Sequence, residues 1–158
     1  MLAELPSVSN DIYTFIAGYL VKVPDIGNLN QTIRNLFFHV PMWFGMMILF
    51  FVSLFYAIKY LRSGNPIHDV YSYSYASMGL VFGILGIITG AFWANYQWGS
   101  PWVGDPKQNG AAIAMLIYLA YFVLRGSMTD EDKRSRIASV YNIFAFLLSI
   151  RVISSFFS

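Results

Sequence analysis

Apolar side chains fall in long unbroken runs separated by short polar segments, and these runs set the elements. Leu36 to Ile58 is 23 residues without a formal charge, closed by Lys59 and Arg62. A crossing takes roughly 20 apolar residues, so this run predicts a membrane-spanning helix. Pro41 falls in its first turn, where a missing N–H does little harm. Between Asp69 and Asp105 a further 35 residues carry no acidic or basic side chain. Their helical part is expected over Tyr73 to Asn95, which leaves residues 97–109 as a loop rich in Trp, Gly and Pro. Gly110 to Leu124 predicts a shorter span closed by Arg125. Thr129, followed by Asp130, Glu131 and Asp132, has the form of a helix start, with a hydroxyl cap and acids on the positive end of the dipole. That helix turns apolar at Ile137 and is interrupted by Arg151 after 14 uncharged residues. Nearer the N-terminus, Ile12 to Val21 is apolar but short, and it spans only if Leu2 to Asn10 joins it. The pattern predicts an all-α, polytopic integral membrane bundle of about five transmembrane helices, forming one domain over residues 1–158.

Composition agrees with lipid as the solvent. Only 11% of the side chains are charged and 57% are hydrophobic, against about 25% charged in a soluble domain. A net charge of +2 is too small for a nucleic-acid binder. The absence of Cys removes thiolate catalysis and Cys-based zinc sites. Lys59, Arg62, Arg125, Lys133, Arg134 and Arg136 sit in the second and fourth inter-span segments, whereas the first and third hold Lys22, Arg34 and Lys107. Because basic residues favour the cytoplasm, the Trp-rich segment is expected outside.

Chemistry has few places to reside. His68, beside Asp69, is read as a solvated loop residue. His39 lies near the outer end of an apolar span, where an intramembrane ionisable group is a functional candidate. Trp43 and Met46, four and seven positions on, share its helix face. Two readings of His39 stand at this point: an imidazole bonded to a neighbouring carbonyl as part of the packing, or a ligand. Trp93, Trp98 and Trp102 lie within ten residues, and an interfacial aromatic belt accounts for Trp93 and Trp98. A compact loop of Trp, Gly, Pro and Asp equally suits a flat apolar ligand with anionic edges, held by Trp faces, backbone N–H groups and Lys107. A tetrapyrrole ligated by one neutral imidazole satisfies both features. Ala76, Gly79, Gly83, Gly86, Gly90 and Ala94 form a small-residue stripe of the kind used in close helix packing. No H-E-x-x-H, P-loop or intraspan carboxylate pair is present, and no enzymatic activity is expected. The alternative function is a non-haem membrane subunit or small transporter with interfacial Trp anchors.

The segment Arg34-Asn35-Leu36-Phe37-Phe38-His39-Val40-Pro41-Met42-Trp43, followed by the Trp-rich loop, resembles the CcmC/CcsA family of cytochrome c assembly proteins, most closely CcmC-type haem exporters of Bacteroidetes-like bacteria. The similarity extends over about Ile12 to Ile150 and includes the run from Asp105 to Gly110. It implies a protein of the bacterial inner membrane that transiently binds haem b at its periplasmic face. Haem would then pass to a CcmE-like chaperone or to apocytochrome c, alongside other maturation subunits. His39 matches the family's first haem-ligand histidine, and Trp98, Gly99, Trp102 and Asp105 match its "WWD" motif. Pro101 and Gly104 stand where that motif commonly has Trp. Family members continue into a further outer loop with a second histidine and another helix, so a C-terminally truncated, partial domain is expected.

Overall fold

A computed structural model describes residues 29–155, and the expected first span lies outside them. The described residues form four helices: α1 (Leu29–Ser63), α2 (Pro66–Trp98), α3 (Pro106–Gly126) and α4 (Glu131–Ser155). All four carry windows long and apolar enough to cross a membrane. The chain is a multi-pass membrane protein, all-helical over the described residues.

Short connections fix the helices as an antiparallel bundle. Gly64 adopts φ 66° and Asn65 accepts from the Ile67 N–H through its side chain, so α1 reverses into α2 within two residues. Proline follows this cap directly, where its missing donor costs nothing. Around the bundle each helix packs on its sequence neighbours, and α4 closes back onto α1. Across the diagonal, α1 and α3 meet only through long side chains. Phe50 stacks on Tyr118 with centroids 3.5 Å apart and planes within 2°. Met46, Met115, Ala145 and Phe146 complete that core.

Polarity is arranged inside out. Phe37, Phe44 and Val123 are each at least 66% exposed, whereas Ser53, Ser72, Asp69 and Asn142 are buried. Water would not tolerate such a surface; lipid does. Within the bundle, Ser53 Oγ donates to the Ser72 carbonyl (2.6 Å) and Ser72 Oγ donates to the Ser53 carbonyl (3.0 Å). Asn142 Nδ2 donates to Ser53 Oγ at 2.7 Å and so ties α4 to the α1–α2 pair.

Several sequence-based boundaries shift. Proline 41 lies inside α1 rather than in a first turn, because the helix begins at Leu29. It deprives the Phe37 carbonyl of its i+4 donor two residues from His39. Helix α2 starts at Pro66, not Tyr73, so His68 and Asp69 belong to its first turn. Asp69 is only 5% exposed because Arg125 donates both terminal nitrogens to it, at 2.8 and 2.5 Å, and Ser135 Oγ adds a third bond at 2.8 Å. The Trp-rich loop is shorter than expected, residues 99–105, since Asp105 starts α3 ahead of Gly110. At α4 the cap is Asp130, whose Oδ1 accepts from the Lys133 N–H at 3.2 Å, rather than Thr129. Arg151 does not end α4; its side chain is exposed and the helix runs on to Ser155.

Candidate functional site

At one end of the bundle the first described turns of α1 meet the last turns of α2, the start of α3 and the far end of α4. A cavity of about 530 Å³ opens there, within the roughly 300–1,000 Å³ of ordinary small-molecule pockets. Its lining includes His39, Trp43, Trp93, Trp98, Trp102, Asp105 and Lys107, which are seven of the eight residues singled out from the sequence. Met47, Ile87 and Ile153 add apolar walls. The eighth, Gly99, lies outside the lining. It caps α2 with φ 74° and donates its N–H to the Asn95 carbonyl at 2.9 Å, a conformation that a Cβ would strain.

The small-residue stripe on α2 acts as a groove that receives side chains of α1. Phe50 lies against Gly79, Met46 against Gly83, Trp43 against Gly86 and His39 against Gly90. A Cβ built on Gly90 would meet His39 Cε1 at 2.9 Å, so glycine is what lets the ring lie down. His39 Nδ1 is 3.0 Å from the Gly86 carbonyl and 3.1 Å from Thr89 Oγ1. The carbonyl can only accept, and the Thr89 hydroxyl already donates to the Leu85 carbonyl at 2.8 Å. Nδ1 therefore carries the proton, and Nε2 keeps a lone pair. One turn earlier, Asn35 Nδ2 donates to the Thr89 carbonyl at 2.6 Å. Sequence reasoning missed Asn35, Gly86, Thr89 and Gly90 as a seat for the histidine. The signal was present: Asn35 and His39 stand four apart, as do Gly86 and Gly90, so each pair shares a helix face.

The loop is held by its own polar groups. Asp105 Oδ2 accepts from the N–H groups of Lys107 (2.9 Å) and Gln108 (3.4 Å) and caps α3. Gln108 reaches back to the Val103 N–H at 3.2 Å and the Pro101 carbonyl at 3.4 Å, and Asn109 Nδ2 donates to the Gly104 carbonyl at 3.1 Å. These bonds hold the loop that carries Trp102, which lines the cavity together with Trp98 at the end of α2; both rings are about half exposed. Trp93 meets Trp98 edge to face with centroids 5.2 Å apart, and its buried Nε1–H has no protein acceptor.

These features fit a flat, apolar, metal-bearing ligand with acidic edges. Among the described residues no three His, Cys, Asp or Glu side chains converge to hold a bare metal ion. A macrocycle supplies its own equatorial donors and asks the protein for axial ligation only. His39 Nε2 is suited to that part, while Lys107 and the Trp93 N–H are suited to anionic or accepting edges.

Comparison with known proteins points the same way. The family model described as Cytochrome C assembly protein matches residues 5–158. Cytochrome c biogenesis protein CcsA of Pelargonium hortorum is 39% identical over 93 residues, 58% of this chain and 29% of that protein. CcsA of Prochlorococcus marinus is 40% identical over 80 residues, 51% of this chain and 25% of its own length. Heme exporter protein C of Bradyrhizobium diazoefficiens is 28% identical over 121 residues, 76% of this chain and 46% of that protein. The chain thus spans less than half the length of each of these relatives. The family match runs through every helix and through both halves of the cavity, and this chain belongs to the cytochrome c assembly protein family, in its CcmC/CcsA group.

Proposed function

We propose that this protein takes part in cytochrome c biogenesis by holding haem b transiently at the outer face of a bacterial inner membrane. In this reading His39 Nε2 is an axial ligand, and Trp43, Trp93, Trp98 and Trp102 supply the apolar faces. Lys107 attracts the propionate edge, and Asp105 and Gly99 set the loop that carries Trp102. The excess of Lys and Arg at the other end of the bundle supports a periplasmic cavity. Haem leaves for a CcmE-like chaperone or an apocytochrome without covalent chemistry on this chain, so the protein is a handler rather than an enzyme.

One observation carries the proposal. A histidine with one nitrogen committed to the backbone and the other left as a lone pair lines the same cavity as Trp93 and Trp98 at the end of α2 and Trp102 of the short, internally bonded loop that follows. The Bradyrhizobium relative is named heme exporter protein C, which supports the same cargo. The decisive comparison is haem retained by the purified full chain and by His39→Ala, read from the Soret band. Loss of the band, or a shift in its position, is expected. Equal retention with an unchanged band would end the axial-ligand assignment. Absence of haem from both would favour a non-haem membrane subunit in which the tryptophans are anchors.

A further inference from the structure

The opposite end of the bundle holds a second recess, unrelated to the haem reading. It measures about 380 Å³ and is lined by Tyr73, Phe122, Arg125, Gly126 and Arg134. It sits where the apolar helices α3 and α4 meet their polar link, so its mouth is at a membrane boundary. Two guanidinium groups share it, but only one buried acid is nearby. Both oxygens of Asp69 are taken by Arg125 and Ser135. Arg134 makes one bond, Nη2 to Glu131 Oε1 at 3.3 Å, and the Glu131 side chain is 84% exposed. Its Nε–H is buried and has no acceptor. A buried, unpaired guanidinium N–H beside a second guanidinium calls for an anionic oxygen from outside the chain. The other walls are aromatic, with Tyr73 and Phe122 edge to face at 5.7 Å, and the adjoining Val123 is 73% exposed to the acyl region.

We propose that this recess holds the phosphate of an anionic phospholipid, with Arg134 as its main donor and the acyl chains lying along Phe122 and Val123. Charge and geometry both favour a lipid. The guanidinium with an unpartnered Nε–H, whose one ion pair is to the exposed Glu131, is at the headgroup level, and the recess continues into an apolar surface instead of a closed polar chamber. Basic recesses between helices at a membrane boundary bind lipid headgroups by the same physics.

The test uses the full chain in phosphatidylcholine bilayers containing trace spin-labelled phosphatidylglycerol or spin-labelled phosphatidylcholine. The motionally restricted fraction should favour phosphatidylglycerol by about fivefold, the effect of one basic side chain near a membrane surface. Arg134→Gln should bring that ratio close to one. Lys133→Gln removes the same charge from a side chain 77% exposed at the preceding position and should lower the ratio clearly less than Arg134→Gln does. Arg134→Lys keeps the charge but not the Nε–H and should fall between. No preference in the unaltered chain, a preference surviving Arg134→Gln or unchanged in Arg134→Lys, or an equal fall in Lys133→Gln would each overturn the proposal. Inorganic phosphate, added with ionic strength matched by chloride, should leave the ratio intact. Its collapse would assign the recess to a soluble phosphate instead of a lipid.

Discussion

The His39 ring is held by its back edge. Gly86 and Thr89 share the Nδ1 proton, and Gly90 leaves space for Cε1. A histidine that ligates a metal through one nitrogen and donates the other N–H to a carbonyl has its tautomer and orientation set in advance, and loss of such a partner typically costs 10- to 100-fold in metal affinity. Thr89→Val removes only one of two acceptors. Haem affinity should therefore fall by less than about tenfold, measured by titration of the Soret band. Gly90→Ala acts by displacement. The new methyl would lie inside the ring's contact distance, and the imidazole, as the free end of a side chain, would swing away while the helices stay packed. The expected result is an altered Soret position with unchanged helicity; an unaltered spectrum would mean that the ring is not the ligand. His39 and its tryptophans were legible in the sequence because each is a rare residue in an apolar run. The seat was not, since Gly86, Thr89 and Gly90 look like any small-residue stripe until α1 is laid into it.

Helix ends locate the site, and they were where sequence reading was weakest. Residues 66–72 and 106–109 contain the polar and charged side chains that ordinarily mark loops, yet both stretches are helical. In each case a buried or capping acid made the difference: Asp69 meets Arg125 from a helix 56 positions away, and Asp105 caps α3. Long-range pairing of this kind leaves no periodicity to read. The Asp69–Arg125 pair, with side chains 7% and 11% exposed, links α2 to α3, while Ser135 adds α4. Arg125→Gln leaves Asp69 buried without its counter-charge and should cost about 3–5 kcal/mol. Unfolding in mixed micelles with rising dodecyl sulfate measures it. The Asp69→Asn, Arg125→Gln double variant should recover part of the loss, because no unpaired charge remains. Asp105 poses a different question, since its Oδ2 already serves two backbone N–H groups. Asp105→Ala should cost about 1 kcal/mol of stability, whereas Asn caps as well as Asp does. Asp105→Asn is therefore expected to keep haem retention within about twofold. A larger loss would show that the carboxylate itself contacts the ligand.

At the scale of the molecule, an antiparallel bundle puts the two cavities at opposite ends, so one orientation decides the environment of both. Helix α3 connects those ends in 21 residues, about 31 Å of helix at 1.5 Å per residue, which matches a hydrocarbon core of about 30 Å. Crossing in a single pass is therefore required of it, whereas direction rests on the Lys and Arg bias, which is an independent and weaker constraint. The bundle class and the four described crossings were readable from the apolar runs and the low charge, because lipid-facing Phe and Val need no particular partner. Ring-on-ring contacts across the diagonal, such as Phe50 on Tyr118, depend on how the helices close and were not. The two constraints on topology separate cleanly by experiment, since the 158 residues contain no Cys and a single introduced thiol reports its own position. Ser100→Cys lies in the Trp-rich loop and Ser127→Cys just beyond the far end of α3. In intact spheroplasts an impermeant maleimide should label Ser100→Cys and reach Ser127→Cys only after permeabilisation. Labelling of both from one side would refute α3 as a crossing and with it the bundle. Reversed labelling would spare the bundle but place the His39 cavity on the cytoplasmic face, which is incompatible with haem presentation outside.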